Sequence, residues 1–129
     1  MTKKIEEKSA STSITFNSAV NNPRYAGVFD ISAEELKTNL ESVNVVDVRQ
    51  PEEYEGELGH IPNSELFVLD QLADNVFKIP KGKPLVIVCR SGARSAQAAA
   101  FLQDSGFQNV FNLQGGMIRW NELGYEIEK

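Results

Sequence analysis

The chain has 129 residues, of which 41% are hydrophobic and 24% charged, and its formal net charge is −5. These values are typical of one globular domain that buries a single core. The negative charge argues against a broadly basic surface, so we expect no nucleic-acid partner. No segment approaches the roughly 20 apolar residues that span a bilayer, so we expect no membrane partner.

The sequence contains one cysteine, Cys89, and one histidine, His60. One cysteine cannot form an internal disulfide, and the sequence offers no Cys/His cluster for a structural metal. A single free thiol suits a reducing compartment, so we expect a cytoplasmic location. The highly charged first eight residues and the polar stretch after them contain no apolar region of the kind found in signal peptides.

The first 24 residues carry few large apolar side chains and many polar ones. This composition predicts a mobile polar tail over 1–24, with some local order near Ile14 and Phe16, and a single domain over 25–129.

From residue 25 onward, strand-like and helix-like segments alternate. A short strand is predicted over 28–31, and Ser32 lies three residues before Glu35 in the capping-box arrangement that opens a helix to about residue 40. The β-branched run 43–48 predicts a buried strand. Pro51 suits the first turn of a short acidic helix. A strand over 66–69 and a helix from Asp70, as N-cap, to about residue 77 complete this half.

The second half continues the alternation. The apolar run 85–88 predicts a strand, an alanine-rich helix follows over about 95–104, and Gly106 is placed to end that helix. A last strand is expected over 109–113, and Gln114-Gly115-Gly116 turns the chain into a final helix over about 117–123, which carries Trp120. Strands that alternate with helices predict an α/β fold, with a central parallel sheet and helices on both faces.

The strand over 85–88 delivers Cys89 to a short loop just before a helix, at the carboxyl end of the sheet, where ligands bind in such folds. Backbone N–H groups, a helix N-terminus and the positive charges of Arg90 and Arg94 all favour the thiolate, which is the nucleophile. A lone cysteine after an apolar strand is more often an inert core residue. Arginines beside an inert core thiol would need partners or solvent, whereas at an anion site they have a ligand. The loop as a whole therefore favours a reactive cysteine.

Several linked motifs occur in a fixed order: Asp47-Val48-Arg49, Glu53-Tyr54, Gly59-His60-Ile61-Pro62, Cys89-Arg90-Ser91-Gly92-Ala93-Arg94-Ser95 and Leu113-Gln114-Gly115-Gly116. In order and spacing they resemble the rhodanese family, over roughly residues 28–129. The resemblance implies a rhodanese-like α/β fold around a central parallel sheet. Active members are sulfurtransferases, which carry sulfane sulfur as a persulfide on the loop cysteine, here Cys89.

The resemblance also implies roles for individual residues. Cys89 would be the catalytic nucleophile that takes sulfur from thiosulfate or from a persulfide donor and passes it to cyanide or a thiol. The substrate-binding residues would be Arg90, Ser91, Gly92, Ala93, Arg94 and Ser95, with the two arginines orienting a small anionic sulfur donor. Asp47, Arg49 and His60 would give structural support, with Glu53 a candidate partner of Arg49. We expect a monomer that uses no metal and no organic cofactor, and that exchanges sulfur with small molecules or with another protein.

Two alternatives remain open at this stage. The domain could be a non-catalytic module, or a relay that passes persulfide between proteins with little turnover of small molecules. A cysteine-based phosphatase or arsenate reductase shares this architecture, but those phosphatases place five residues between the cysteine and the arginine. Here four residues separate Cys89 from Arg94, which favours the sulfurtransferase.

Overall fold

The computed structural model describes residues 15–129, and among them six strands form one sheet. The strands are Val20–Asn21 (β1), Phe29–Ile31 (β2), Asn44–Asp47 (β3), Glu65–Leu66 (β4), Leu85–Val88 (β5) and Val110–Leu113 (β6). Their order across the sheet is β1-β2-β6-β5-β3-β4. Only β1 runs antiparallel to its neighbour, and the other pairings are parallel. The predicted α/β fold with a mostly parallel sheet is confirmed.

Helices cover both faces of this sheet. They are Ala33–Thr38 (α1), Pro51–Tyr54 (α2), Leu72–Asn75 (α3), Ala93–Asp104 (α4) and Gly116–Glu122 (α5), with short 3₁₀ turns at Leu40–Ser42, Leu69–Gln71 and Val76–Lys78. Side chains alternate between the faces of a strand, so Val86 packs on the side of α1 and α5, and Ile87 on the side of α3 and α4. Trp120, which belongs to α5, is buried, as expected. No helix in the described part of the chain is long and apolar enough to cross a membrane.

The entry into α1 differs from the predicted capping box. The Ser32 hydroxyl does accept the N–H of Glu35, at 3.1 Å. The Glu35 carboxylate, however, does not reach back to Ser32. It accepts the backbone N–H groups of Asn17 and Ser18 at 2.7 and 2.8 Å, together with the Ser18 hydroxyl. These hydrogen bonds lower the pKa of Glu35 from its ordinary value, against desolvation, which raises it. Glu35 therefore holds the incoming N-terminal segment rather than its own helix end.

From Phe16 onward that segment packs against the rest of the structure, within the stretch over 1–24 for which the sequence predicts a mobile tail. Phe16 is 5% exposed, and its ring meets Phe111 edge-on with the centroids 4.8 Å apart. Val20–Asn21 then pairs with β2 at the edge of the sheet. The Phe16 ring, the hydrogen bonds of Glu35 and a two-residue strand together attach a segment whose composition is otherwise polar. The rest of the predicted tail, including Ile14, lies outside the described residues.

The region between β4 and β5 is less regular than predicted. The strand covers only Glu65–Leu66, although the N–H groups of Phe67 and Leu69 still donate to the carbonyls of Asp47 and Val48. The predicted helix from Asp70 to residue 77 divides into two 3₁₀ turns around the four-residue α3. The expectation that Asp70 caps this helix is wrong, because Asp70 lies within the first 3₁₀ turn.

The predicted stop at Gly106 is confirmed. Gly106 has φ +105°, and its N–H donates to the Gln103 carbonyl while the Phe107 N–H donates to the Leu102 carbonyl, both at 3.1 Å. This is a Schellman motif, in which a left-handed residue lets two free carbonyls at the helix end find donors.

Phe16→Ala is expected to lower the free energy of unfolding by about 3 kcal/mol, because it empties a buried aromatic position against Phe111. Urea denaturation measures this difference. Phe77→Ala is the matched control, since Phe77 is 71% exposed and its loss should change stability little. Equal midpoints for the two variants would contradict the placement of the N-terminal segment in the core.

Candidate active site

Cys89 lies where the sequence predicted, between the end of β5 and the start of α4. Its side chain is fully buried. Gly92 adopts φ +109° at the N-cap of α4, a left-handed conformation that glycine accepts without steric cost. In this conformation the Gly92 N–H donates to Cys89 Sγ at 3.0 Å. The sulfur therefore lies at the positive end of a twelve-residue helix and accepts one of its free N-terminal amides.

Beneath the sulfur lies a second, fully buried polar group. Ser95, in the first turn of α4, places its hydroxyl 3.3 Å from Cys89 Sγ. The same hydroxyl hydrogen-bonds Asn112 Oδ1, and the Asn112 Nδ2 group bonds Asp30 on the neighbouring strand at 2.9 Å. Ser95 thus contacts the sulfur from the protein interior. Neither Asn112 nor Asp30 could be identified from the sequence, because each occupies an ordinary polar position within a strand.

The first turn of α5 supports the cysteine loop from the other side. The Met117 N–H donates to the Cys89 carbonyl at 2.9 Å, and the Ile118 N–H to the Arg90 carbonyl at 3.0 Å. Gly116 permits this approach, since a Cβ on it would lie 2.5 Å from both carbonyl oxygens. From the sequence, Gly115-Gly116 was expected only to form a turn. The signal that could have revealed the contact was a second consecutive glycine at the start of the helix, since glycine also permits the close approach of another backbone segment.

Arg94 is held by a carboxylate from α2. Its Nη1 and Nη2 atoms each donate to one oxygen of Glu53 at 2.8 Å, in a bidentate pair. The Arg94 hydrogen bonds are the main reason that the pKa of Glu53 falls to about 2, and the same contact raises the pKa of Arg94. Arg49 also contacts Glu53, its candidate partner, but through the Glu53 backbone carbonyl, at 3.2 Å, because the Glu53 carboxylate is paired with Arg94.

Arg90 differs from Arg94 in its surroundings. It is exposed, and within residues 15–129 it takes part in no ion pair. Of the two loop arginines, Arg90 is therefore the one whose guanidinium donors are not already given to a carboxylate.

The three residues expected to give structural support do pack around the loop that follows β3. Arg49, 1% exposed, donates from Nε and Nη2 to Asp47 at 2.9 and 2.8 Å and also binds the Gly59 carbonyl at 2.7 Å. His60 stacks flat on Tyr54 with the ring centroids 3.7 Å apart, and its Nδ1 lies 2.8 Å from the Tyr54 carbonyl. These contacts support a structural role, and within residues 15–129 no hydrogen bond joins His60 to the sulfur. No group of three or more potential metal ligands occurs in the described part of the chain.

Comparison with known proteins agrees with this arrangement. A family model described as the rhodanese-like domain matches residues 32–123, which is most of the chain and includes the whole cysteine loop. The chain belongs to the rhodanese-like family. The motifs that resemble this family in the sequence, which run from Asp47 to Gly116, all lie within the matched residues.

Relatives of this rhodanese-like chain carry sulfurtransferase names. A protein of Allochromatium vinosum named sulfurtransferase is 40% identical over 103 residues, which cover 78% of this chain and 94% of the relative. The thiosulfate sulfurtransferase GlpE of Pseudomonas syringae is 40% identical over 76 residues, 59% of this chain and 70% of the relative. Among solved structures, a rhodanese-related protein from Thermoplasma volcanium superposes with a TM-score of 0.70 at 33% identity, covering 75% of this chain and 94% of that one.

Gly116→Ala is expected to lower the free energy of unfolding by about 3 kcal/mol or more and to displace the cysteine loop, because the added Cβ overlaps two backbone oxygens. Urea denaturation checks the loss of stability. Gly124→Ala is the matched control, since Gly124 also has a positive φ, +75°, but open space around it, so its cost is the backbone strain of about 1 kcal/mol. Equal losses in the two variants would contradict the close approach of α5.

Glu53→Gln is expected to lower the free energy of unfolding by about 1 kcal/mol at neutral pH. The loss is small because the side chains of Glu53 and Arg94 are 28% and 36% exposed, and solvent weakens their ion pair. The folded-state pKa of Glu53 is lowered, so its contribution is present above the ordinary value of 4.5 and is lost as the pH falls toward about 2. Urea denaturation should therefore separate the two proteins at neutral pH and bring them together near pH 2. Glu52→Gln, on the exposed side of the same helix, is the control and should show no such convergence.

Proposed function

We propose that this rhodanese-like chain is a sulfurtransferase that carries sulfane sulfur as a persulfide on Cys89. The observation that carries the proposal is the environment of Cys89 Sγ, which lies at the start of α4 and accepts the Gly92 N–H at 3.0 Å. Such a position stabilises a sulfur anion through oriented backbone dipoles. The sulfurtransferase names of the relatives support the same class of reaction.

The reaction divides into two displacements at sulfur. In the first, the Cys89 thiolate attacks the outer sulfur of thiosulfate, a new S–S bond forms, and sulfite leaves with the electron pair of the old S–S bond. In the second, a thiophilic acceptor such as cyanide or a cellular thiolate attacks the outer sulfur of the persulfide. The S–S bond then breaks, and Cys89 regains its thiolate, so no external oxidant or reductant is needed.

The loop residues would divide the binding of the donor between them. Arg90, Ser91 and Ala93 are exposed, Gly92 and Arg94 are half-buried, and Ser95 is buried. An anionic donor would meet the backbone amides and the guanidinium of Arg90, whereas the Arg94 fork is occupied by Glu53. We therefore propose that Arg94 mainly shapes the loop, and that Arg90 supplies the charge that attracts the donor.

The ion pair between Arg94 and Glu53 weighs against the phosphatase alternative. A phosphatase of this architecture needs its loop arginine free to grip a phosphate through both terminal nitrogens, whereas both Arg94 nitrogens lie 2.8 Å from Glu53. The loop is also one residue shorter between Cys89 and Arg94 than those phosphatases require. The relay alternative uses the same persulfide with a protein as donor or acceptor, so it shares the first displacement and differs only in the second.

Thiocyanate formation from thiosulfate and cyanide is the experiment that tests the proposal, with the intact mass of the protein recorded after thiosulfate alone. The wild-type chain should turn over and gain the mass of one sulfur atom, because the chain contains one thiol. Cys89→Ser should lose both signals, since a serine hydroxyl forms no persulfide.

The unfolding midpoint of Cys89→Ser is the control, and it should stay close to that of the wild type. A mass gain without turnover would identify the protein relay as the function. Turnover or mass gain retained in Cys89→Ser would overturn the role of the cysteine, and the absence of both signals in the wild-type chain would overturn the sulfurtransferase.

A further inference from the structure

A continuous chain of buried polar side chains connects the sheet to the sulfur. Asp30 on β2 and Asn112 on β6 are direct partners in the parallel register, so their side chains leave the sheet on the same face. That face is covered by α4, which brings Ser95 to Asn112 and Cys89 to Ser95. All four residues are 5% exposed or less. Buried polar groups persist where each one has a partner, so the direction of every hydrogen bond in this chain matters.

The amide of Asn112 can adopt only one orientation here. Its Nδ2 group donates one hydrogen to Asp30 Oδ1 at 2.9 Å and the other to the Gly92 carbonyl at 3.2 Å. Both of these partners are acceptors, so turning the amide over would place an oxygen against two oxygens. The Oδ1 atom of Asn112 is therefore fixed toward Ser95, where it can only accept.

The hydroxyl of Ser95 has one hydrogen and two neighbours. It bonds Asn112 Oδ1 and also lies 3.3 Å from Cys89 Sγ. With its hydrogen on Asn112, the hydroxyl offers the sulfur only a lone pair, which suits a thiol that donates S–H. A thiolate has no hydrogen to give, so it would attract the Ser95 hydrogen away from Asn112.

We infer that Asn112, anchored by Asp30, is a positioning residue that sets which way the Ser95 hydroxyl points and so tunes the reactivity of Cys89. Asn112 competes with the sulfur for one hydrogen. When Cys89 is a thiol, this competition keeps the Ser95 hydrogen on Asn112. When Cys89 is a thiolate, the competition weakens the hydrogen bond from Ser95 to the sulfur, so the thiolate is less favourable than it would be without Asn112. For sulfur transfer, the inference rests on the proposed function. During turnover the Ser95 hydroxyl then rotates toward Sγ when the sulfur becomes charged, and back toward Asn112 when the charge is removed.

Two neighbouring substitutions should act in opposite directions if this is correct. Ser95→Ala removes the donor to the thiolate and should slow alkylation of Cys89 by iodoacetamide about tenfold at a fixed, mildly acidic pH. Asn112→Val removes the competing acceptor without changing charge and should speed the same reaction about threefold to fivefold. Rates measured across a pH series should show the Ser95→Ala profile displaced to higher pH and the Asn112→Val profile displaced to lower pH.

A purely structural role gives a different result. Asn112 also donates to the Gly92 carbonyl, so if it only holds the loop, its loss should slow alkylation just as the loss of Ser95 does. Slower alkylation in both single variants would therefore overturn the inference. The double variant should match Ser95→Ala, because without the hydroxyl there is nothing for Asn112 to compete for.

Asn22→Ala is the matched control. It removes the other donor to Asp30 Oδ1, at 3.0 Å, but leaves the Asn112 amide in place, so the alkylation rate should not change. The charged groups around the loop are retained in every variant: Arg90 and Arg94 on the loop, Glu53 on α2, Asp47 and Arg49 at the end of β3, and Asp30 on β2. Alkylation requires no sulfur transfer, so the result stands apart from the success or failure of the proposed function.

An infrared measurement keeps the inference testable if Asn112→Val does not fold. The chain has a single cysteine, so the S–H stretching band reports Cys89 alone. A thiol that donates to the Ser95 oxygen should absorb at a lower frequency in the wild type than in Ser95→Ala. Equal frequencies would show that the hydroxyl is not turned toward Asn112, and would overturn the inference.

Discussion

The contact on which the site depends is the approach of the α5 N-terminus to the carbonyls of Cys89 and Arg90. Two N–H groups of α5 donate to these carbonyls, and Gly116 leaves no side chain between them. In a trans peptide the carbonyl and the next N–H point in opposite directions, so the N–H groups of Arg90 and Ser91 point away from α5. One helix N-terminus thus fixes the carbonyl side of the loop, and the amide side stays available for an anion.

Most of the positive charge near the cysteine loop is paired with carboxylates. Arg49 is bound to Asp47, and Arg94 to Glu53, so two of the nearby guanidinium groups hold loops in place. Arg90 is the loop arginine left without a carboxylate within residues 15–129. The backbone donor that reaches Cys89 Sγ is the Gly92 N–H, at 3.0 Å, so a charge on the sulfur would meet a fixed backbone dipole. Backbone dipoles need no reorganisation when charge appears on sulfur, which suits the proposed sulfur transfer.

The parts of this arrangement that depend on local sequence could be predicted. The apolar run before Cys89, the loop and the helix after it follow from composition and period alone. What could not be predicted rests on contacts between distant segments: Arg94 lies 41 residues from Glu53, and Asn112 lies 82 residues from Asp30. Periodicity indicates which face of an element is buried, but it does not indicate which polar side chain meets which. The sequence indicates local order near Phe16 but not its contact with Phe111, since one aromatic ring in a polar segment gives no periodic signal.

The N-terminal segment and Asn112 share one carboxylate, that of Asp30. Asn22 follows β1 and donates to Asp30 Oδ1, which also accepts from Asn112. Phe16 and the hydrogen bonds of Glu35 hold the start of this segment against the domain. A buried carboxylate that keeps both donors is better satisfied than one that keeps a single donor. The packing of a short edge segment therefore helps to satisfy the buried Asp30, while the orientation of Asn112 is set by its own hydrogen bonds to Asp30 and to the Gly92 carbonyl.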